Sequence, residues 1–377
     1  MSEMPAAEQK PEATPAGSRR VLWVVPVADL GGVARHVLDV TRVGIPGWCV
    51  TVLCPEGALA DRLRAQQVDV VSGPFGPRAG ALTSMRTLRR AAAGIRPEIV
   101  HSHLAYADII NAWTPLPSGT RRFTTEHGIA GDDGVYHRSS LQSRLMALVH
   151  RARFPRFDGV IAVAEATRRA MIQKWSVRQP ITVILNGVDL PATEKTRTSE
   201  IATRMRILSL SRLAPEKRID KLIEAFALVR RQRPDATLTI AGEGPLRQEL
   251  ETMPQKLGIA ESVRFPGYVN ADAAMAEADV IVQLSVWENC SYTLLDGVAR
   301  GLRIVAPDVG GNREVLGTDG VISAVEPTAI AGMILPTKTT AQRDSQSVAT
   351  NNHPPVQPVA EMCRRIAVQY DRGGPND

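Results

Sequence analysis

Cysteine is scarce in this chain. Cys49, Cys54, Cys290 and Cys363 are spread over 377 residues, with no CxxC and no metal-ligand spacing. That argues against a disulfide framework and predicts a reduced, cytoplasmic protein. Aromatics make up only 4% of the chain, so its basic residues are not interleaved with stacking side chains, and nucleic-acid binding is not expected. No apolar run approaches the roughly 18–20 residues of a membrane span. The N-terminus lacks the charged, apolar and small-residue order of a secretory signal. GxGxxG does not follow the first predicted strand, which counts against an NAD-dependent oxidoreductase. DxD is absent throughout, which removes the usual acidic seat for a divalent cation.

Turning to what is there, an apolar content of 44% and a charged content of 22% belong to a globular protein. The length exceeds one ordinary core, so two domains are expected. The net charge of +6 is uneven: residues 1–190 carry +7 and residues 191–377 carry −1. Nearly all the first-half basic excess is Arg. It reflects either a genome that favours Arg codons or a basic face for anionic lipid or an anionic acceptor. Arg86–Arg90 and Arg151–Arg156 are the candidate segments.

Short apolar runs alternate with helical patterns along the chain. Strands are predicted at Val21–Val27, Val50–Leu53, Val68–Val71, Ile99–His101, Arg122–Thr125, Gly159–Val163 and Ile181–Leu185. A second series is predicted at Arg206–Leu210, Ala236–Ala241, Val263–Phe265, Ala278–Leu284 and Arg303–Ala306. Such alternation implies an α/β protein of two doubly wound parallel sheets, with ligands at the carboxyl ends of the strands. The expected division is a disordered tail over 1–18, a first Rossmann-like domain over 19–189 and a polar linker over 190–204. A second Rossmann-like domain follows over 205–335, then a low-complexity, disordered segment over 336–358. Residues 359–377 form a terminal helix and tail, and Val359–Tyr370 has helical periodicity.

The stretch Ser285–Glu314 organises the rest. After the strand Ala278–Leu284, Glu288 lies in a polar turn with Asn289, Cys290 and Ser291. Ser291 or Asn289 can cap a helix over Tyr292–Arg300 that stops at Gly301. A helix start offers free N–H groups, where phosphate binds well. A carboxylate there repels phosphate, so Glu288 suits neutral hydroxyls. Hydroxyls beside phosphate describe a nucleotide sugar. Arg212 and Lys217, five apart across a strand–turn–helix, suit a diphosphate. Gly31 and Gly32 allow close backbone approach after the first strand. His101, His103 and His127 stand at strand ends, where a neutral imidazole can meet a sugar hydroxyl or phosphate. No acidic ligands support a metal site from these three.

These residues resemble the GT-B glycosyltransferases of family GT4. The matching features are the Gly31–Gly32 loop with His36 (GG-x3-H), His127, the Arg212/Lys217 turn, and Glu288-x7-Asp296, where the family's second Glu is an Asp. The resemblance covers about residues 21–320. It implies two domains facing a cleft and a retaining, metal-independent transfer from a UDP- or GDP-linked sugar to a hydroxyl acceptor, without a cofactor. On that basis His127, Glu288, Arg212 and Lys217 are the candidate catalytic residues. Gly31, Gly32, Arg212, Lys217, Asn289, Cys290, Ser291 and Asp296 are the candidate donor ligands, with Asp296 on the ribose. His36, His103 and Asp133 are weaker acceptor-side candidates. Alternatives kept open are a phosphorylase or epimerase on the same fold and a non-catalytic homologue that binds sugar nucleotide or a partner. The last helix of such folds often crosses back to the first domain, and Val359–Tyr370 is its candidate here.

Overall fold

A computed structural model of the chain describes residues 19–129, 140–189, 204–318, 320–335 and 353–372. Among these residues, two separate parallel sheets form. The first contains β1 (Arg19–Val24), β2 (Trp48–Cys54), β3 (Asp69–Ser72), β4 (Ile99–His103), β5 (Arg121–Glu126), β6 (Gly159–Ala162) and β7 (Ile181–Val183). Its order is β3-β2-β1-β4-β5-β6-β7. The second contains β8 (Arg206–Leu210), β9 (Thr237–Ala241), β10 (Val263–Gly267), β11 (Val280–Val282), β12 (Arg303–Pro307) and β13 (Val321–Ile322), in the order β10-β9-β8-β11-β12-β13. Helices cover both faces of each sheet, so central strands such as Val21–Val24 and Val280–Val282 are buried throughout, as both-face burial requires.

Strand order places the ligand sites. In the first sheet the chain winds outward from β1 toward β3, then returns to β4 on the other side of β1. In the second sheet β8 and β11 stand in the same relation. Loops leaving the carboxyl ends of such strand pairs diverge and open a crevice. The β1 loop carries Gly31 and Gly32, and β4 ends on His103. The β8 loop carries Arg212, and the β11 loop carries Glu288.

The helix Val359–Asp371 packs on the first sheet, as expected for a returning element. Its stripe Val359, Met362, Cys363, Ile366, Ala367 and Tyr370 is buried with Val21, Trp23, Val37 and Val40. Each such large apolar side chain contributes about 1.5–3 kcal/mol on burial. Trp23 Nε1 donates to the Tyr370 hydroxyl at 2.9 Å. The approach to this helix differs from expectation. Residues 353–358, inside the segment expected to be disordered, run extended from the second domain to the first. Val188 N–H donates to Gln357 O at 3.0 Å, the Gln357 amide donates to Leu185 O, and His353 Nδ1 lies 2.8 Å from Leu316 O. Pro354, Pro355 and Pro358 hold φ at extended values and lack N–H groups that would need partners. The remainder of that segment, the tail 1–18 and nearly all of the linker lie outside the described residues.

Candidate active site

The second-domain half of the cleft is built on a backed turn. Beyond β8 the chain turns through Ser211–Ala214 and enters a short 3-10 turn at Pro215–Lys217 and a helix at Ile219–Gln232. Glycines make room behind it: a Cβ on Gly242, at φ +134°, would meet Ser211 O at 2.0 Å, and one on Gly244 would meet Leu213 O at 2.2 Å. Arg212 stays two-thirds exposed and pairs with Glu216. Lys217 Nζ donates to Glu288 Oε1 at 2.6 Å and to Ser285 Oγ at 3.1 Å. The structure thus brings together the predicted diphosphate lysine and the predicted sugar-binding acid, and joins them as an ion pair. Glu288 is backed in turn by Gly310, at φ +54°, where a Cβ would sit 1.7 Å from Glu288 O.

The side chains of Asn289 and Ser291 and the carbonyl of Cys290 are engaged within the protein. Asn289 Oδ1 accepts from Thr167 Oγ1 at 2.8 Å and from Ile129 N–H at 3.4 Å, across to the first domain. Cys290 is buried, which pushes its thiol up to about 12, and its carbonyl accepts from Asn186 Nδ2 at 3.0 Å. Ser291 caps the helix Tyr292–Ala299 by accepting from Leu294 N–H at 3.4 Å, and donates to Gln283 Oε1 at 2.9 Å. These side chains form the seam between the domains. Glu314 extends it: its carboxylate accepts from the N–H groups of Glu165 and Ala166 at 2.6 and 2.7 Å. An acid at the start of the helix Glu165–Trp175 also complements the helix dipole.

Asp296 sits on the helix Tyr292–Ala299 with only 7% of its side chain exposed. Arg35, from the first-domain helix Gly32–Val43, grips it with both guanidinium arms; Nη2 donates to Oδ1 at 2.9 Å, and Nη1 donates to Oδ2. The Arg35 guanidinium lies 4.4 Å from the Tyr292 ring centroid, and Arg300 adds a contact at 3.6 Å. Burial works against the charge on Arg35, but the bonds and charge of Asp296 outweigh it and hold its pKa above the ordinary value. Any ribose at Asp296 must displace or share this arginine. Sequence reasoning missed Arg35. Its only signal was its place between Gly32 and His36 in the glycine loop.

The first-domain half is a packed cluster of imidazoles. At Gly31 and Gly32 an added Cβ would meet nothing within 4 Å, so the helix start there faces open space. His36 Nδ1 lies 3.2 Å from Asn186 Oδ1. His103 Nδ1 lies 2.9 Å from His127 Nε2. The Trp23 ring packs under them, 4.3 Å from the His103 ring centroid and 5.7 Å from that of His36. His101 does not join this group: it bonds the Tyr370 hydroxyl and, at 2.8 Å, Thr125 Oγ1. Instead His36, His103 and His127 offer ring nitrogens that all lie within 4.8 Å of one another. Burial lowers the His36 pKa to about 4 and holds those of His101, His103 and His127 well below the usual value. Asp133 lies outside the described residues.

Beneath His127 lies a buried ion triad. Arg153, fully buried, donates to Glu126 Oε2 at 2.9 Å and pairs with Asp108 at 3.2 Å. Burial raises the Glu126 carboxyl to about 7, against the pull of Arg153. The basic run Arg151–Arg156 is therefore not a uniform surface patch, since Arg153 is withdrawn into the core as the counter-charge to two acids.

Comparison with known proteins agrees with this geometry. Residues 30–191 match the model for "Glycosyltransferase Family 4" and residues 192–335 that for "Glycosyl transferases group 1". The chain is 27% identical over 356 residues to a glycogen synthase of Mycobacterium tuberculosis, covering 83% of each. It is 30% identical over 164 residues to an alpha-monoglucosyldiacylglycerol synthase of Streptococcus pneumoniae, covering 40% of this chain and 37% of that one. Among solved structures, Anabaena Alr3699/HepE in complex with UDP and glucose superposes with a TM-score of 0.71 at 21% identity, covering 93% of this chain and 94% of the other. Two parallel sheets with their switch points facing one cleft, together with family matches spanning residues 30–335, make the chain a GT-B glycosyltransferase of the GT4-like family.

Proposed function

We propose that the chain moves a hexose-type sugar, with retained anomeric configuration, from a UDP- or GDP-linked donor to a hydroxyl acceptor. The single observation that carries this reading is the convergence of Arg212, Lys217, Ser285 and Glu288 at the second-domain switch point, with Lys217 Nζ 2.6 Å from Glu288. In the reaction Lys217 and Arg212 turn toward the diphosphate and stabilise the charge that develops as the glycosidic bond breaks. Glu288, released from Lys217, binds donor-sugar hydroxyls and steadies positive charge at the anomeric carbon. His127 reaches the sugar from the first domain, and the free N–H groups near Gly32 add to the diphosphate seat. No metal is required for turnover, because the two cations serve the diphosphate.

The acceptor is a lipid-linked glycan, a polysaccharide or a small metabolite. The relatives support a glycan or lipid acceptor, since a glycogen synthase and a diacylglycerol glycosyl-lipid synthase are among them. No described helix is long and apolar enough to cross a membrane. Exposed Arg residues such as Arg86, Arg89 and Arg90 are the proposed contact with an anionic lipid surface. Donor binding without transfer is the second reading. It is favoured by the occupation of Asp296 by Arg35. Transfer assays with a panel of UDP- and GDP-sugars, run in EDTA, decide: turnover is expected to persist in chelator. Turnover abolished by EDTA and restored by magnesium would overturn metal independence. Donor binding with no turnover on any acceptor class would favour the second reading.

A further inference from the structure

The imidazoles of His36, His103 and His127 form a set that sugar transfer does not need as a set. Their nearest ring nitrogens lie within 4.8 Å of one another, and two nitrogens bound to one tetrahedral ion lie about 3.4 Å apart, given zinc–nitrogen bonds of about 2.1 Å. Closing that gap requires the rings to turn and the 2.9 Å contact between His103 Nδ1 and His127 Nε2 to open. Two nitrogens of the set, His36 Nε2 and His103 Nε2, are buried and have no hydrogen-bond partner, although buried polar atoms are ordinarily paired. Asn186 Oδ1 lies 3.2 Å from His36 Nδ1. It fits as the acceptor of that ring's N–H, which leaves the Nε2 lone pair directed inward; metal-bound histidines carry this kind of outer hydrogen bond. Trp23 stacks on His36 and packs against His103 at a tilt of 46°. His127 is the least buried of the three and lies on the cleft side.

We propose that His36, His103 and His127 bind one divalent transition-metal ion of the zinc, nickel or copper class, and that this ion blocks the donor-sugar side of the cleft. Three imidazoles suit those ions over magnesium or manganese, which prefer oxygen ligands. Three protein ligands leave a fourth position open, as in sites that keep an exchangeable ligand. Metal binding stands without the proposed function; only the block rests on that reading.

The test uses the full-length, untagged chain, stripped with chelator and titrated with cobalt(II) chloride alone. One equivalent should bind with the visible absorption of tetrahedral cobalt, and zinc sulfate should displace it. His36→Gln and His103→Gln, each checked by circular dichroism, should lose the band. No band in the wild-type chain overturns the site, as does an unchanged band in either folded variant. If neither variant folds, the wild-type spectrum alone decides. In the transfer assay, zinc should lower the initial rate and EDTA should restore it. Zinc that binds without slowing transfer overturns the block and leaves the site standing. Cobalt binding in a chain with no turnover on any donor counts against the proposed function and not against the metal site.

Discussion

The two sides of the cleft are built by opposite means. On the first-domain side, His36 and His103 are neutral rings packed on Trp23, His127 packs on both, and the charges of Arg153, Asp108 and Glu126 are sealed beneath His127. On the second-domain side, Arg212, Lys217 and Glu288 are mobile-length side chains on a turn, partly exposed and paired to one another or to Glu216. A rigid neutral wall needs little rearrangement to meet an uncharged sugar. An ion-paired wall must exchange partners when an anion arrives, and that exchange lets bond breaking in the donor draw on charges already in place. Stability is housed mainly on the first-domain side and charge chemistry on the second. Substitutions at His36 and His103 should cost stability, those at His127 should cost rate as well, and those in the second set should cost rate.

The largest expected effect is on the sealed side. Arg153→Met leaves two buried acids without their counter-charge and should destabilise the protein by about 3–5 kcal/mol, read by denaturant unfolding. A loss below about 1 kcal/mol would mean that the triad is not the support claimed for it.

The next is on the exposed side. Lys217→Ala should lower kcat by about 10²–10³-fold, roughly 3–4 kcal/mol of transition-state stabilisation, with the thermal midpoint almost unchanged. Arg212→Ala should act similarly, and the double variant should lose less than the sum because both cations serve one diphosphate. Wild-type kcat/KM in both single variants would remove the assigned diphosphate site.

A pH series in chelator sharpens the contrast. Burial depresses the folded-state pKa of His36 from 6.5 to about 4, and those of His101, His103 and His127 shift in the same direction. A depressed value means that the unfolded chain binds protons first. Stability is therefore full above about pH 6.5 and falls as pH drops toward 4. Each histidine that titrates only in the unfolded chain contributes a slope of about 1.4 kcal/mol per pH unit. His36→Gln should flatten the curve, and an unchanged slope would show that His36 is not held neutral by the fold.

The smallest effect is expected where the two walls touch. Asp296→Asn should weaken nucleotide-sugar binding by about tenfold, roughly 1.4 kcal/mol, if the ribose takes the place of Arg35. Equal donor affinity in wild type and variant, measured by calorimetry, would leave Asp296 as an interdomain tie only.

Much of the architecture was legible because it depends on local periodicity. Arg206–Leu210 matches β8 to the residue, and the Tyr292 helix begins at the Ser291 cap as read. The two-residue strand Val321–Ile322 was not legible, because it is too short to show alternation. In the candidate site, Glu288, Lys217 and His127 were picked out by their match to the family's motifs, and the structure brings Lys217 and Glu288 together. Arg35 was not, because its partner Asp296 is 261 residues away and nothing in either neighbourhood encodes the meeting. Arg153 misled for a related reason. An Arg in a basic run reads as surface charge unless the acids it neutralises, Asp108 and Glu126, are known to converge on it.

The extended strap 353–358 and the helix after it have a consequence for biogenesis. Tyr370 closes over Trp23, and Met362 and Ile366 complete the core under β1, so the first domain is discontinuous in sequence. During synthesis its seven strands leave the ribosome early but lack their lid, while residues 205–335 emerge with their own apolar core complete. The second domain should therefore reach its native state first, reversing the usual order of synthesis. A chain that stalls or is clipped after residue 335 would carry a finished second domain tethered to a first domain with an open, aggregation-prone face.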